Sequence, residues 1–174
     1  MPEPVHLYTV GHSNVPLEEF LGLLEGAGIE LLVDVRRYPG SRRYPHFGKD
    51  ALPESLREVG IGYVHLPELG GRRPVQADSV NTVWRNASFQ GYADYMETQE
   101  FADGIARLLE LAVRQRVAIM CSEAVWWRCH RALIADLLKS RGHLVTHLVG
   151  GREQEHPYTS AARLVDGKLS YSAE

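Results

Sequence analysis

The stretch that decides the fold runs from Val117 to Leu138 and reads VAIMCSEAVWWRCHRALIADLL. Its first four residues are apolar and suit a buried strand, and its last eight repeat leucine and isoleucine at helical spacing. Cys121 lies between the two elements, where the strand ends and a helix is about to begin. Free backbone N–H groups and the positive end of the helix dipole stabilise a thiolate there. We therefore predict that Cys121 is a reactive centre.

The rest of the chain alternates strand-like and helical segments. Predicted strands cover residues 6–10, 31–35, 62–66, 117–120 and 144–149, and predicted helices cover residues 13–26, 50–59, 91–115 and 128–141. This alternation predicts an α/β fold with three layers, α/β/α, around a mostly parallel sheet of about five strands. With 174 residues and no visible linker, one domain over residues 1–174 is the simplest organisation. Residues 67–90 lack a clear period and are interpreted as a functional loop.

Polar clusters follow every predicted strand. Right-handed crossovers place the carboxyl end of each strand at one edge of a parallel sheet, which is where ligands bind. The five clusters are Gly11–Asn14, Asp34–Phe47, Glu68–Arg72, Cys121–Arg131 and Gly150–Arg152. The opposite edge carries ordinary glycine turns. The sequence therefore predicts a functional site at the carboxyl edge of the sheet.

The charged residues are unevenly chosen. The net charge of −3 argues against a general nucleic-acid coat, which is usually basic. Nevertheless the chain has sixteen arginines and only three lysines, with arginine pairs at 36–37, 42–43 and 72–73. A guanidinium presents a planar fork of donors that suits phosphate, sulfate or carboxylate. We expect a small anionic ligand or nucleotide as the partner; a general preference for arginine is the alternative explanation.

These patterns assign roles to individual side chains at the predicted site. The predicted catalytic residues are Cys121, His12 and Asp34. The predicted ligand-binding residues are Arg36, Arg42, Arg43, Ser122, Glu123, Arg128, His130 and Arg131. Each has a structural alternative: Cys121 as a buried small hydrophobe, His12 as a hydrogen-bonded core residue, Asp34 as the partner of an arginine. Cys129 is expected to pack in the core.

Two further functions stay open. A nucleic-acid or nucleotide binding module would use the arginine pairs for phosphates and Trp84, Phe89, Trp126 or Trp127 for stacking. A metal-binding protein would use Cys121, Cys129, His130 and His12. The C-x7-C-H spacing matches no common zinc pattern, so neither a metal nor a cofactor is predicted.

The setting of the chain is predicted from its ends and its cysteines. Two cysteines do not make a disulfide framework, and the first residues show no signal-peptide pattern. No apolar run approaches the roughly 18 residues that span a bilayer. We therefore expect a cytoplasmic protein with reduced thiols and no membrane partner.

Several separated motifs occur in order along nearly the whole chain. They are Tyr8–Ser13, Val33–Arg36 with Pro39 and Ser41, Phe47, His65–Gly71, Phe89–Met96, Cys121–Glu123 and Cys129–Arg131. Together they resemble the "domain of unknown function 488" family. That family has no settled biochemical role, so the resemblance implies membership without an activity.

A looser resemblance concerns architecture. Leu32–Arg36 is similar to the Asp-x-Arg strand of rhodanese-like domains, and Val117–Gly151 is similar to their active-site strand, loop, helix and following strand. In those domains a loop cysteine accepts sulfur inside a cradle of backbone N–H groups. Here six residues separate Cys121 from Arg128, and bulky and acidic residues stand where the cradle glycine is expected.

Overall fold

The fold, taken from a computed structural model that describes residues 3–40 and 43–173, is an α/β arrangement. Its strands are β1 (His6–Gly11), β2 (Leu31–Asp34), β3 (Gly62–His65), β4 (Val117–Cys121), β5 (Leu144–Val149), β6 (Arg152–Glu155), β7 (Arg163–Val165) and β8 (Lys168–Ser170). Its α-helices are α1 (Leu17–Gly26), α2 (Leu52–Glu58), α3 (Ala87–Tyr95), α4 (Gln99–Arg114) and α5 (Arg131–Ser140). Short 3-10 turns cover Pro45–Phe47, Pro67–Leu69 and Trp126–Arg128.

One mixed sheet has the strand order β3-β2-β4-β1-β5-β6, and its first five strands are parallel. The predicted mostly parallel sheet is thus confirmed, but the expected count of about five strands is one short. The sixth strand, β6, pairs antiparallel with β5 after a turn in which Gly150 and Gly151 have positive φ. All four residues of β6 are exposed and polar, so no hydrophobic alternation marked it in the sequence.

Helices cover both faces of this sheet. Successive strand residues point to opposite faces, and Val33 and Ile119 belong to the core under α3, α4 and α5. On the other face Leu32 and Met120 pack with side chains of α1 and α2. The predicted three layers are therefore present, with an apolar core on each side of nearly all-buried parallel strands.

The prediction of one continuous helix over residues 91–115 is wrong. The segment contains two helices, because the Thr98 side chain accepts a hydrogen bond from the Phe101 N–H and begins α4 anew. Asn86 caps α3 in the same way, so the predicted irregular stretch ends at that residue. The helix predicted from Arg128 begins only at Arg131, after a 3-10 turn. Pro16, not Ser13 or Asn14, precedes α1.

None of the helices within the described ranges is long and apolar enough to cross a membrane.

Candidate functional site at the carboxyl edge

A cleft of about 390 Å³ opens at the carboxyl ends of the central strands. The segments after β1, β2, β3 and β4 all contribute to it, with side chains of α3 closing one side. Four of the five predicted polar clusters therefore meet in one place. The fifth, Gly150–Arg152, forms the turn into β6 and is not among the residues that line the cleft.

Positive charge dominates the lining of this cleft. Arg36, Arg37, Arg72 and Arg128 line it, against the single carboxylate of Glu123. Of these arginines only Arg36 is within 4.0 Å of a carboxylate among the described residues. The charges of the other three guanidiniums are not neutralised by a carboxylate of the described residues and can attract an anion.

The exposed ring of Tyr38 lies near two of these cations. The Arg37 guanidinium carbon is 5.4 Å from the ring centroid, and that of Arg72 is 5.8 Å away. Arg37 also donates to the Arg72 carbonyl oxygen at 2.7 Å, which ties the two loops together. Arg37, Tyr38 and Arg72 are not among the individual site residues predicted from the sequence, although the arginine pairs at 36–37 and 72–73 pointed to the two loops that contain them.

Cys121 ends β4 and reaches the floor of the cleft with only 2% of its surface exposed. Its thiol donates to the Glu123 carbonyl oxygen at 3.7 Å. Burial and the interaction with Cys129 raise the pKa of the Cys121 thiol well above its ordinary value. The predicted thiolate role of Cys121 therefore gains no electrostatic support, since a neutral thiol is favoured at this position.

Cys129 shows the opposite electrostatics. Burial alone would raise the pKa of its thiol, but the interaction with Cys121 and the charge and backbone N–H of Arg131 outweigh burial and lower it. The Arg131 N–H lies 3.5 Å from the Cys129 sulfur, at the start of α5. Cys129 was expected only to pack in the core; it does join the core, and it also lines the cleft. Of the two thiols, Cys129 is the better placed to ionise.

His130 stands beside this sulfur with a defined orientation. Its Nε2 lies 3.1 Å from the Val35 carbonyl oxygen, to which only an N–H can donate. In the neutral ring this leaves the Nδ1 lone pair directed towards the Cys129 sulfur, 3.4 Å away. A β-carbon on Gly71 would come within 2.9 Å of the same Nδ1, so the glycine makes room for the imidazole. Burial lowers the pKa of His130, so the ring is neutral near pH 7 and its Nδ1 is a hydrogen-bond acceptor beside the thiol.

Asp34 and His12 are held in a way that favours a structural role. The Asp34 carboxylate accepts from the Arg36 side chain at 2.9 and 2.7 Å and from the Tyr63 hydroxyl at 2.5 Å, without solvent exposure. His12 donates from Nδ1 to the Ser13 carbonyl oxygen at 2.9 Å, and its Nε2 accepts from Arg36 at 3.3 Å. Neither group keeps a free atom with which to abstract a proton.

Burial lowers the pKa of His12 to about 4, so the ring is neutral near pH 7. The ring also stacks on Phe47, with centroids 4.4 Å apart. The geometry thus favours the structural alternative for both predicted catalytic residues; His12 lines the cleft, and Asp34 lies buried behind Arg36.

The remaining predicted ligand-binding residues fall into three groups. Ser122, Glu123, Arg128 and His130 line the cleft. Arg131 lies beneath it, fully buried, and contacts Thr9 and two backbone carbonyls. Arg43 is exposed and outside the lining, and Arg42 lies outside the described residues.

The aromatic side chains predicted to stack on a base lie in different surroundings. The Trp126 ring is stacked on His147, with an interplanar angle of 6° and 4.6 Å between centroids, and it is buried and outside the lining of the cleft, so it offers no face to a base there. Trp84 packs against Phe89 and Tyr171. Trp127 is 52% exposed and remains available. Within residues 3–40 and 43–173, no three His, Cys, Asp or Glu side chains are grouped so as to hold a metal ion.

Comparison with known proteins finds one family. The family model described as "Domain of unknown function DUF488" matches residues 16–138, from the residue before α1 to Leu138 within α5. The match includes β4, both cysteines and the Arg36–Arg37 and Arg72 loops. No curated protein and no solved structure matches the chain.

Proposed function

The chain belongs to the DUF488 family, and from that premise we propose that its cleft binds a small anionic ligand on which Cys129 carries out a thiol-dependent transfer or hydrolysis. One observation carries the proposal. A cysteine whose sulfur faces a backbone N–H and an imidazole nitrogen lines the same cleft as three arginines without a carboxylate partner among the described residues.

The anion is supported by the charge of the lining. With Arg36 neutralised by Asp34, the guanidiniums of Arg37, Arg72 and Arg128 outweigh the carboxylate of Glu123. Arginine forks bind phosphate, sulfate and carboxylate groups in a bidentate manner, and a half-enclosed cleft strengthens such contacts. A ligand of this class would also neutralise cations that otherwise lie side by side.

The chemistry is supported by the arrangement around Cys129. In the thiol form, His130 Nδ1 accepts the sulfhydryl proton, and the sulfur attacks the electrophilic atom that carries the leaving group. One bond forms to sulfur as the bond to the leaving group breaks, and the imidazolium returns its proton to that group. Water or a second acceptor then releases the product from sulfur.

Two finer statements belong to this proposal. A rhodanese-like architecture is supported by the order of β4, a cysteine loop and α5 after an Asp-x-Arg strand. A reducing, cytoplasmic setting is supported by two cysteines that are both free thiols.

Alkylation with iodoacetamide across a pH series tests the assignment. We expect Cys129 to react with a midpoint below the ordinary thiol pKa of about 8.5, and Cys129→Ser to abolish this reaction. The matched variant Cys121→Ser keeps a hydroxyl donor in place and is expected to retain it. Inorganic phosphate or sulfate is expected to slow the alkylation. Preferential reaction at Cys121, or an ordinary midpoint at Cys129, would refute the thiolate assignment.

A nucleotide or single-stranded nucleic acid is the second candidate ligand. It is favoured by Tyr38, which is 60% exposed at the cleft and lies near two guanidiniums, so that an aromatic ring for a base and cations for its phosphate occur together. Binding of a short oligonucleotide at low salt, weakening steeply as salt rises, would support it. Tyr38→Leu is then expected to weaken oligonucleotide binding and to leave phosphate binding unchanged. Equal effects on both ligands would exclude stacking.

A further inference from the structure

A chain of buried hydrogen bonds joins Arg131, under the cleft, to Asp136 on the same helix. Arg131 Nη1 donates to Thr9 Oγ1 at 3.1 Å, and Thr9 Oγ1 lies 2.5 Å from His147 Nδ1. His147 Nε2 is 2.7 Å from His156 Nδ1, and His156 Nε2 is 2.8 Å from Asp136 Oδ1. All five residues are at most 1% exposed. Strands β1 and β5, helix α5 and the segment after β6 each contribute to it.

The carboxylate end of this chain sets the proton directions in neutral rings. A carboxylate only accepts, so His156 presents Nε2–H to Asp136, and in the neutral ring its Nδ1 lone pair is directed to His147. His147 accordingly carries its proton on Nε2 and accepts at Nδ1 from the Thr9 hydroxyl. Burial, together with the neighbouring His156 and Arg131, lowers the pKa of His147 to about 2, in agreement with a neutral ring.

The far end is fastened by the C-terminal part of the chain. Asp136 also accepts from the Thr159 backbone and hydroxyl at 3.0 and 2.5 Å and from the Tyr171 hydroxyl at 2.7 Å. These donors occupy both carboxylate oxygens, which offsets the cost of burying the charge. Asp136 is thereby stabilised without approaching Arg131.

The near end faces the cysteine pair. Arg131 Nη2 donates to the Glu123 carbonyl oxygen at 3.0 Å, the same oxygen that accepts from the Cys121 thiol. Its backbone N–H lies against the Cys129 sulfur, and its Nε is buried without a hydrogen-bond partner among the described residues. No described carboxylate lies within 4.0 Å of the guanidinium. The positive charge of Arg131 is therefore buried beside the thiols without direct compensation.

We propose that Thr9, His147 and His156 form a positioning relay that holds the Arg131 guanidinium against the cysteine loop and separates it from Asp136, so that an uncompensated cation lies beside the two thiols and favours ionisation of Cys129. This inference rests on the proposed function and deepens it. A direct ion pair between Arg131 and Asp136 would neutralise the guanidinium. The neutral groups between them transmit polarisation instead and leave a fixed cation for the sulfur. Thr9, His147 and His156 act through Arg131 and are positioning residues.

The pH midpoint of Cys129 ionisation, followed by thiolate ultraviolet absorbance in the full chain carrying Cys121→Ser, tests the relay. Thr9→Val keeps the side-chain shape and removes the oxygen between Arg131 and His147. It is expected to raise the Cys129 midpoint by about one pH unit, which is a roughly tenfold loss of thiolate at a pH below the midpoint. The matched control is Thr146→Val, the same exchange in the neighbouring strand β5, where Thr146 contacts His6 outside the relay. It is expected to leave the midpoint unchanged.

A second variant keeps the test decisive if Thr9→Val does not fold. His147→Phe preserves a ring against Trp126 and removes both hydrogen bonds, and it is expected to raise the midpoint in the same direction. In parallel, nitrogen NMR of the imidazoles is expected to show His147 neutral with its proton on Nε2 and His156 with a proton on Nε2, donated to Asp136. The opposite tautomer in either ring would overturn the relay.

The outcomes separate the two proposals. The relay alone is overturned if the parent has a lowered Cys129 midpoint and the folded variants Thr9→Val and His147→Phe leave that midpoint unchanged. An ordinary midpoint in the parent overturns the relay together with the thiolate assignment. A lowered midpoint that rises in both variants, without protection by phosphate or sulfate, supports the relay and removes the anion from the proposed function.

Discussion

Gly11 lies so close to Arg131 that a β-carbon on the glycine would stand 2.9 Å from the guanidinium Nη2. The same β-carbon would be 1.6 Å from the Glu123 carbonyl oxygen, which is inside the van der Waals distance of any atom pair. The last residue of β1 is therefore a glycine for reasons of space. Its missing side chain lets the cysteine loop and Arg131 approach the sheet.

Gly11→Ala is expected to destabilise the fold by about 3 kcal/mol or more, because backbone cannot yield as a flexible side chain does. Denaturant unfolding measures the change. The matched control is Gly22→Ala in α1, where a β-carbon meets nothing within 4 Å, and it is expected to add about 0.5–1 kcal/mol of stability. Equal stabilities of the two variants would contradict the close approach.

Asp34→Asn is expected to cost about 3–5 kcal/mol of folding free energy, because it leaves the buried Arg36 guanidinium without its counter-charge. The control is Glu54→Gln, which removes the exposed partner of Arg57 on α2 and is expected to cost less than about 0.5 kcal/mol. Thermal or denaturant unfolding of both variants compares them. A small effect at Asp34 would mean that Arg36 finds another partner.

Arg131→Lys keeps a positive charge but loses the fork that reaches Thr9, Glu123 and Ala124 together. Leaving buried carbonyls without donors is expected to cost about 2–3 kcal/mol. The same exchange at the exposed Arg107 of α4 is the control and is expected to stay within about 0.5 kcal/mol. Unfolding free energies of both variants test this, and an unchanged value for Arg131→Lys would argue that charge alone suffices.

Stability is expected to fall as the pH drops from 6.5 towards 4. The folded pKa of His12, about 4, lies below its unfolded value of 6.5, so in this range the unfolded chain binds more protons. The difference corresponds to about 3 kcal/mol, present above pH 6.5 and lost by pH 4. His147, whose folded pKa is about 2, adds to the same trend and extends it to lower pH.

His12→Asn is the variant that isolates this contribution. Its unfolding free energy is expected to change less between pH 7 and pH 4 than that of the parent, by about 3 kcal/mol. An identical pH slope in both proteins would show that His12 is not the group responsible.

How much of this follows from the sequence depends on the range of the interaction involved. The strands and their parallel order followed from local hydrophobic runs and from the handedness of crossovers, and so did the meeting of polar loops at one edge. The exposed strand β6 had no such signal, since its pairing with β5 comes from a tertiary neighbour. The helical periodicity of residues 91–115 predicted one helix. The break between α3 and α4 comes from the single cap at Thr98, which that periodicity does not reveal.

The sequence by itself determined that a cysteine loop, arginine-rich loops and a parallel sheet belong to one site, because those features are local and their spacing survives folding. Only the tertiary structure shows that the Arg131 backbone N–H and the His130 Nδ1 lie against the Cys129 sulfur, and that the Cys121 thiol faces a carbonyl oxygen. The physical reason is that a pKa depends on burial and on the nearest charges and donors. For these two thiols the nearest charges and donors are those of Arg131 and of each other. Arg131 is in turn held by hydrogen bonds that run through Thr9 and His147, which are distant from it in sequence.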